Sequence, residues 1–208
     1  MPTTFCRTLL MPHLASFLDR HPKLTMEVRM NDQHVNLVAD AVDLALRIGP
    51  MTDSELVVRP LGRIRMGTYA CPSCLDRQGT PVRPAELSSH RLIAFLLPSG
   101  RTKPMFYADG QSDVVIDTGK AVASFTNGDA MIDATLAGIG IAQAPAFYAR
   151  QALAQGRLIQ VLAGLDAPGS AIQLVYPSRR QLPERVRILM DHLADPIEDA
   201  LGDIYRVP

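Results

Sequence analysis

Apolar residues along the chain recur at two different spacings, and these spacings predict which segments form helices and which form strands. Helical spacing predicts helices at Cys6 to Arg20, Gln33 to Ala41, Ser73 to Gln78, Asp129 to Ala137, Ala146 to Gln155 and Glu184 to Ala194. Short apolar or alternating runs predict strands at Thr25 to Met30, Asp43 to Ile48, Leu56 to Arg65, Thr68 to Ala70, Leu92 to Phe95, Met105 to Ala108, Val114 to Asp117, Ile139 to Gln143, Ile159 to Leu162 and Ile172 to Tyr176. Strands that alternate with helices favour an α/β fold with mostly parallel sheets and flanking helices.

The stretch from Leu37 to Gly62 is the most informative part of this pattern. Its amphipathic beginning leads into a short apolar strand that ends at Gly49-Pro50, and a second strand follows. In open α/β sheets, ligands bind outside the carboxyl ends of the strands. The sequence therefore predicts that Arg47 and Ile48 lie at a binding edge.

Composition narrows the class of protein. The chain has 208 residues, of which 47% are hydrophobic, so it can bury one large core or two small ones. Its 21 basic and 21 acidic residues balance, and no basic cluster indicates nucleic-acid binding by this chain alone. No apolar run reaches the ~20 residues that span a membrane, and the first residues lack a secretory signal pattern. We therefore expect a cytoplasmic protein without membrane contact, whose cysteines stay reduced.

Helix caps are the main candidates for ligand binding. Thr3 and Thr4 precede the first predicted helix, and Thr126 and Asn127 precede the fourth. The unpaired N–H groups at a helix start, together with the positive end of the helix dipole, favour a bound anion. Capping of the helix without any ligand is the alternative at each place.

A second set of residues could complete such a site. Arg47 interrupts an otherwise apolar strand, where it could hold a carboxylate with two nitrogens or simply be a solvated or ion-paired edge residue. Tyr69, Phe125, Gln143 and Pro145 could form the walls of a small-molecule site. Each of these four could equally be a core residue.

Other motifs predict little chemistry. Cys71 and Cys74 have the spacing of a redox pair, but they do not follow the first strand of a βαβ unit, so we expect them to be incidental. The five histidines lie apart from other metal-ligand residues, and Gly138-Ile139-Gly140 follows a helix and lacks the third glycine of a dinucleotide motif. The serine-hydrolase pattern G-x-S-x-G is absent. We predict no metal, no cofactor and no enzymatic activity.

Several short segments occur in an order that is typical of one family. An aspartate, an apolar strand and an R-I-G ending at Asp43 to Gly49 precede the pattern D-S-x-L-V-x-R-x-L at Asp53 to Leu61. Further segments are Tyr69 to Leu75, Gly79 to Pro81, Leu87 to His90, Asn127 to Asp129, Ala137 to Ala142, Gly156 to Leu158 and Leu174 to Pro177. Together they resemble the effector-binding domain of the LysR-type transcriptional regulators. Cys6 and Cys74 depart from the pattern, since that family usually has glycine and tyrosine there.

The resemblance implies a two-lobed fold of the type II periplasmic-binding-protein kind, with a ligand cleft between the lobes. Lobe I would comprise Met1 to Gly67 plus Ile172 to Pro208, and lobe II Thr68 to Ala171. One helix start from each lobe would face the cleft, so that Thr3, Thr4 and Phe5 oppose Thr126 and Asn127. The implied ligand is a small anionic effector that carries a carboxylate.

The resemblance also implies a regulator that contacts DNA only through an upstream winged helix-turn-helix. The chain begins inside what would be the first strand of the regulatory domain and does not include that DNA-binding domain. A homodimer is expected, with a tetramer as the alternative for the intact protein. Two other functions remain open. A solute-binding receptor of the same fold would require an export signal, and a thiol redox protein would use Cys71 and Cys74.

Overall fold

The computed structural model describes residues 3–30, 36–51, 55–109, 112–178 and 182–201. The backbone divides into two units, which do not share a sheet. Unit 1 comprises Met1–Ile64 and Ser170–Pro208, and unit 2 comprises Arg65–Gly169. The chain therefore leaves unit 1 after Ile64 and returns to it after Gly169.

The elements follow one another along the chain as helices and short strands. The helices are α1 Thr3–Phe5, α2 Met11–Arg20, α3 Pro72–Gln78, α4 Gly128–Leu136, α5 Ala146–Ala154 and α6 Glu184–Leu201, with a π-helical turn at Cys6–Leu10 and a 3-10 helix at Pro84–Ser89. The strands are β1 Ala45–Ile48, β2 Leu56–Arg63, β3 Met66–Ala70, β4 Leu92–Leu96, β5 Thr102–Lys103, β6 Met105–Asp109, β7 Ser112–Ile116, β8 Ala123–Phe125, β9 Ile141–Pro145, β10 Ile159–Val161 and β11 Ala171–Pro177.

The first helical run of unit 1 continues from α1 through the π-helical turn into α2. In this turn the Met11 N–H donates to the Cys6 carbonyl, five residues earlier instead of four. Pro12 then lies in the first turn of α2, where its missing N–H costs little. The wider turn therefore accommodates the proline without ending the run, and the run starts at Thr3, earlier than the predicted Cys6.

The sheet of unit 1 has three strands, and β11 lies between β1 and β2. Both pairings are antiparallel, with Ala45 opposite Val175 and Arg59 opposite Leu174. Helix α6 contacts β2, α2 and the π-helical turn. Its buried face carries Val186, Met190, Leu193, Ala194 and Ile197, at the spacing that one side of a helix requires.

Two predicted elements of unit 1 differ from the structure of the described residues. The segment predicted as a strand at Thr25 to Met30 alternates between half-buried and exposed residues up to Arg29, but it belongs to no ladder. A strand needs a hydrogen-bonded neighbour as well as an alternating pattern, and this segment has none among the described residues. Part of the helix predicted at Gln33 to Ala41 lies outside the described residues. Its described part is a turn in which Asn36 Oδ1 accepts from the N–H groups of Val38 and Ala39.

Unit 2 contains a six-stranded sheet in the order β10-β3-β9-β4-β5, with β8 on β4, and a separate hairpin of β6 and β7. Its main core packs the sheet against α3, α5 and the 3-10 helix, and the largest fully buried side chains there include Tyr69, Tyr107, Leu87 and Ile141. A second apolar cluster around Ile93 and Met131 joins α4 to β4.

The fold class predicted from the sequence is confirmed, but the sheets are mixed instead of mostly parallel. Among the described residues, the parallel pairs are β4 with β8 and β4 with β9, and every other pair is antiparallel. Alternation of helices and strands predicts parallel pairs only where a helix connects two neighbours in the sheet. Here β2 runs into β3 without a helix, and β11 pairs with strands far away in the sequence.

Candidate functional site

Helix α4 begins with the cap that its sequence predicts. Asn127 is extended, and its Oδ1 accepts hydrogen bonds from the N–H groups of Asp129 at 2.8 Å and Ala130 at 3.2 Å. The Met131 N–H donates to the Asn127 carbonyl. This cap uses only the oxygen of the carboxamide, so Asn127 Nδ2 and the Gly128 N–H, which the cap does not employ, are the donors left at this helix start.

Gly128 allows an aromatic ring to lie against this helix start. A Cβ atom at position 128 would lie 2.4 Å from Cε2 of Tyr148, so a larger residue would displace the ring. Tyr148 is half-buried and belongs to α5, and its ring also contacts that of Phe147 at 4.4 Å between centroids. Tyr148 is a neighbour of the site that the sequence analysis missed, although a glycine in the first position of a helix was a visible signal.

The other predicted residues near α4 have different surroundings. Thr126 is exposed, whereas Phe125, at the end of β8, is half-buried against the cluster around Ile93. Pro145 ends β9 and is the residue before α5, where it makes no side-chain capping bond. Phe125 and Asn127 are two residues apart in sequence, so β8 delivers both to the start of α4.

In unit 1, Thr3, Thr4 and Phe5 form the first turn of the helical run instead of preceding it. Thr3 is half-buried and Phe5 is fully buried, while the side chain of Thr4 lies outside the described part of the chain. Because the run begins at Thr3, neither threonine is the residue before the helix that a cap requires. Both nevertheless lie in the first turn of the helical run.

Arg47 and Ile48 end β1 beside β11, and both are half-buried. Arg47 is opposite Gln173, whose side-chain Nε2 donates to the Gly49 carbonyl at 2.9 Å, and the Gly49 N–H donates to Ala171. Gly49 has a φ of +105°, which a residue with a side chain rarely adopts. The predicted parallel strand is thus antiparallel, so the rule about carboxyl ends of parallel strands does not itself identify this edge as a site.

A buried polar network links the remaining predicted residues to residues that the sequence analysis missed. Gln143 Nε2 and Thr68 Oγ1 both donate to Asp166 Oδ1, at 2.9 and 2.7 Å, and Thr68 Oγ1 lies 2.8 Å from the Tyr107 hydroxyl. Gln143 also exchanges two hydrogen bonds with the backbone of Phe106. Thr68 and Asp166 are 98 positions apart, so no local spacing could have revealed this contact.

Burial controls the charge in this network. It raises the pKa of the Asp166 carboxyl, because desolvation outweighs the hydrogen bonds from Thr68, Gln143 and Gln160. Burial and the nearby Asp166 also raise the pKa of Tyr69 to about 12. The Oδ2 atom of Asp166 is buried without a hydrogen-bond partner among the described residues. Tyr69 is itself a core residue, 1% exposed, whose hydroxyl lies over Gly67.

Unit 1 contains a cavity of about 530 Å³ that holds none of the predicted site residues. Its lining includes the segments Leu24–Arg29 and Asp40–Leu46 and the apolar residues Leu14, Phe17 and Leu174. The ion pairs Glu27–Arg29 and Asp43–Arg185 bring charged residues to its lining. The cavity therefore adjoins the edge strand β1.

Two further observations concern the described residues as a set. They contain no group of three or more histidine, cysteine, aspartate or glutamate side chains placed to hold a metal ion. None of the helices traced in the described ranges is long and apolar enough to cross a bilayer.

Comparison with known proteins identifies the family. A model described as the LysR substrate binding domain matches residues 1–196. The chain belongs to this family. It is the effector-binding domain of a LysR-type transcriptional regulator, as the sequence predicted. Members of the family bind small-molecule effectors and bind DNA through an N-terminal domain, and the relatives that match are regulators, not enzymes.

Two relatives illustrate the match of this LysR-type domain. The uncharacterised HTH-type transcriptional regulator YhjC of Escherichia coli K12 is 33% identical over 97% of this chain and 67% of its own length. An HTH-type transcriptional regulator of Haemophilus influenzae is 33% identical over 89% of this chain and 64% of its own length. The chain thus spans about two thirds of the curated relatives that it matches.

Solved structures agree with this assignment. CrgA, a LysR-type transcriptional regulator from Neisseria meningitidis, is 27% identical with a TM-score of 0.79, over 97% of this chain and 67% of that one. Full-length AphB from Vibrio cholerae is 26% identical with a TM-score of 0.78, over 91% of this chain and 64% of that one. The CrgA regulatory domain alone is 28% identical with a TM-score of 0.77, and 94% of its chain is covered.

Proposed function

We propose that this domain senses a small carboxylate-bearing metabolite and passes the signal to an N-terminal DNA-binding domain. The observation that carries the proposal is the start of α4, where the Asn127 cap engages Oδ1 and leaves Nδ2 available. A helix start with additional donors favours an anion over a neutral ligand. The effector would therefore present its carboxylate to Asn127 Nδ2, the Gly128 N–H and the exposed Thr126.

Unit 1 also contains proposed effector-binding residues. Thr4 lies in the first turn of a helical run that continues to Arg20. Arg47 lies at the end of β1 and can provide a charge-assisted, two-nitrogen contact to a carboxylate. We propose as effector-binding residues Thr4, Arg47 and Ile48 in unit 1, and Phe125, Asn127, Gln143 and Pro145 in unit 2.

Ligand binding would act by favouring one arrangement of the regulator over another. An effector with ~10 μM affinity has about 7 kcal/mol of binding energy. Only the part of this energy that differs between the arrangements can change the DNA-binding domains. We propose that the intact protein acts as a homodimer with a two-fold interface. Sedimentation measures this oligomeric state.

The first experiment identifies a ligand and then tests the anion site. A thermal-shift screen of organic acids and aromatic metabolites should find a compound that stabilises the domain, since binding to the folded state alone raises stability. Calorimetry should then show that Asn127→Ala and Thr4→Ala each weaken binding roughly tenfold to a hundredfold, because each loses a charge-assisted hydrogen bond worth about 1.5–3 kcal/mol.

Matched variants separate ligand binding from capping. Asn127→Asp keeps an oxygen for the cap but removes the Nδ2 donor and adds a negative charge, so it should stay folded and lose the carboxylate ligand. Asn36→Ala removes an equivalent two-bond cap outside the proposed site and should leave affinity unchanged. If Asn127→Asp bound the carboxylate as well as the unchanged protein does, the anion site at α4 would be wrong.

A further inference from the structure

The sulfur atoms of Cys71 and Cys74 lie next to each other at the start of α3. Cys71 is the residue before the helix and is extended, and its Sγ accepts a hydrogen bond from the Cys74 N–H at 3.3 Å. The three-residue spacing turns both side chains toward the same end of the helix, as in a capping box. The two Sγ atoms are 2.8 Å apart, whereas a disulfide bond requires about 2.05 Å. A small movement would bring them to bonding distance.

The neighbours of the two sulfurs shift the pKa values of the two thiols in opposite directions. The Cys71 Sγ lies 3.3 Å from Ser73 Oγ, and Arg77 Nη2 lies 3.6 Å from the Cys74 Sγ. Burial opposes ionisation of Cys71, but the hydrogen bonds from Cys74 and Ser73, with the charge of Arg77, lower its pKa below the ordinary value. Burial and the adjacent Cys71 raise the pKa of Cys74. Cys71 is therefore the sulfur of the pair that ionises more readily.

The pair lies just beneath the surface. Both cysteines are 3% exposed, but Ser73 and Arg77, which flank the sulfurs, are exposed. Arg77 also donates to the Gly138 carbonyl at 3.0 Å. Each sulfur therefore has one exposed side chain beside it, Ser73 at Cys71 and Arg77 at Cys74.

We propose that Cys71 and Cys74 form a reversible intramolecular disulfide when the domain meets a hydroperoxide. The Cys71 thiolate attacks the terminal peroxide oxygen, the O–O bond breaks, and the released alkoxide takes a proton from solvent, which leaves a sulfenic acid on Cys71. The Cys74 sulfur then attacks the Cys71 sulfur, the S–O bond breaks, and the hydroxide leaves as water with the Cys74 proton. Two thiols and one hydroperoxide thus give one disulfide, one alcohol and one water.

A dithiol can reduce the disulfide at the same two sulfur atoms. A low-molecular-weight dithiol attacks one sulfur of the disulfide, forms a mixed disulfide and closes its own ring, which restores both thiols. The site depends on neither the effector nor the DNA-binding domain. It is therefore a second input that is chemically separate from the proposed carboxylate site.

Mass spectrometry tests the proposal directly, because trypsin cuts after Arg65 and Arg77 and so releases both cysteines in the peptide 66–77. After treatment of the purified chain with cumene hydroperoxide and then iodoacetamide, this peptide should lack the two thiol hydrogens and carry no label. Dithiothreitol should restore two labels. Alkylation of both cysteines after the peroxide treatment, or a sulfinic acid on one with the other still free, would overturn the proposal.

Cysteine variants assign the roles of the two sulfurs. Cys71→Ser keeps an oxygen that can accept from the Cys74 N–H, so it should fold, and Cys74 should then stay reduced. Cys74→Ser should leave a sulfenic acid on Cys71 that dimedone traps. Cys6 is a natural control, since burial raises its pKa and it belongs to unit 1. In the reduced chain, Cys71 should react with iodoacetamide at least about tenfold faster than Cys6, because the thiolate is the nucleophile. Equal rates would exclude Cys71 as the attacking thiolate.

Discussion

The two units of the chain bury their apolar residues in different ways. Unit 2 has a six-stranded sheet with helices against it, and its core residues fill the space around Tyr69, Tyr107 and Leu87. Unit 1 has a three-stranded sheet, and a cavity of about 530 Å³ is lined by its edge strand β1 and by the segment Leu24–Arg29. Apolar patterns of the same kind thus accompany a six-stranded sheet in unit 2 and a three-stranded sheet beside a cavity in unit 1.

The segment Leu24–Arg29 shows that the burial pattern of a segment and its pairing in a sheet have different origins. Leu24, Met26 and Val28 are half-buried, and the residues between them are exposed, as the alternating sequence requires. The pattern therefore turns the apolar side of the segment inward. It does not provide a neighbour to which the backbone can bond. Strand pairing depends on the neighbouring strand, so the sequence of a single segment does not determine it.

The largest expected effect comes from deleting the same side chain in each unit. Leu87 and Leu174 are both almost fully buried, but Leu174 lies against the cavity. We expect Leu87→Ala to cost about 4–5 kcal/mol of unfolding free energy, and Leu174→Ala about 2–3, since Leu174 has fewer partner atoms to lose. Native-state hydrogen exchange can assign each loss to its own unit.

Equal losses at the two leucines would contradict the comparison. They would mean that the cavity closes in solution and that unit 1 is as densely packed as unit 2. A larger loss for Leu174→Ala than for Leu87→Ala would reverse the order of the units. In the unchanged chain, the amides of Leu24–Arg29 should also exchange faster than those of β3 and β9.

Local pattern was enough for most elements of unit 2. The strand predicted at Leu92 to Phe95 and the helix predicted at Asp129 to Ala137 are shifted by only a residue at their ends. The strand predicted at Ile139 begins later, because the Ile139 N–H closes the end of α4 on the Ala134 carbonyl. Strand β8 was missed since three residues are too few to show a period.

Glycine positions offer a second, smaller test of the comparison. Gly140 allows close approach of two strands in unit 2, where a Cβ would lie 2.4 Å from the Arg91 carbonyl oxygen. Backbone cannot yield easily, so Gly140→Ala should destabilise unit 2 by about 2–3 kcal/mol. At Gly49 in unit 1, no atom lies within 4 Å of the position of a Cβ, so glycine is favoured there by the positive φ and not by close packing.

The matched control lies in the same unit. Gly119 has no positive φ, and its Cβ would meet only the Asp117 side chain at 3.4 Å. Gly119→Ala should therefore change stability by no more than about 0.5 kcal/mol. Chemical denaturation of both variants measures the difference, and a neutral Gly140→Ala would show that β4 and β9 are less tightly held than their spacing indicates.

The candidate site was less predictable than the fold, for a physical reason. Asn127 could be found because capping depends on residues two and three positions away. The network of Gln143 depends on Thr68 and Asp166, which come from distant strands and loops, so no spacing encodes it. The cysteine pair has a readable spacing, but its 2.8 Å separation depends on the extended backbone of Cys71 before α3.

The smallest expected effect concerns the charge buried in the core of unit 2. Because burial raises the pKa of Asp166, the folded chain holds this proton more tightly than the unfolded chain does. The carboxyl therefore costs no stability at low pH and costs progressively more as the pH rises above its ordinary value of 3.8. Asp166→Asn keeps an oxygen for Thr68 and Gln143 and stays neutral at every pH.

We expect Asp166→Asn to stabilise unit 2 at neutral pH by about 1–2 kcal/mol, within the range for an unsatisfied buried polar group. The gain should shrink as the pH falls toward 4 and vanish below it. Hydrogen exchange at several pH values should place the gain in unit 2 and leave unit 1 unchanged, while Asp113→Asn on the exposed strand β7 changes neither. If the gain in unfolding free energy did not depend on pH, it would come from contacts of the new amide. The charge of Asp166 would then not be what lowers the stability of unit 2.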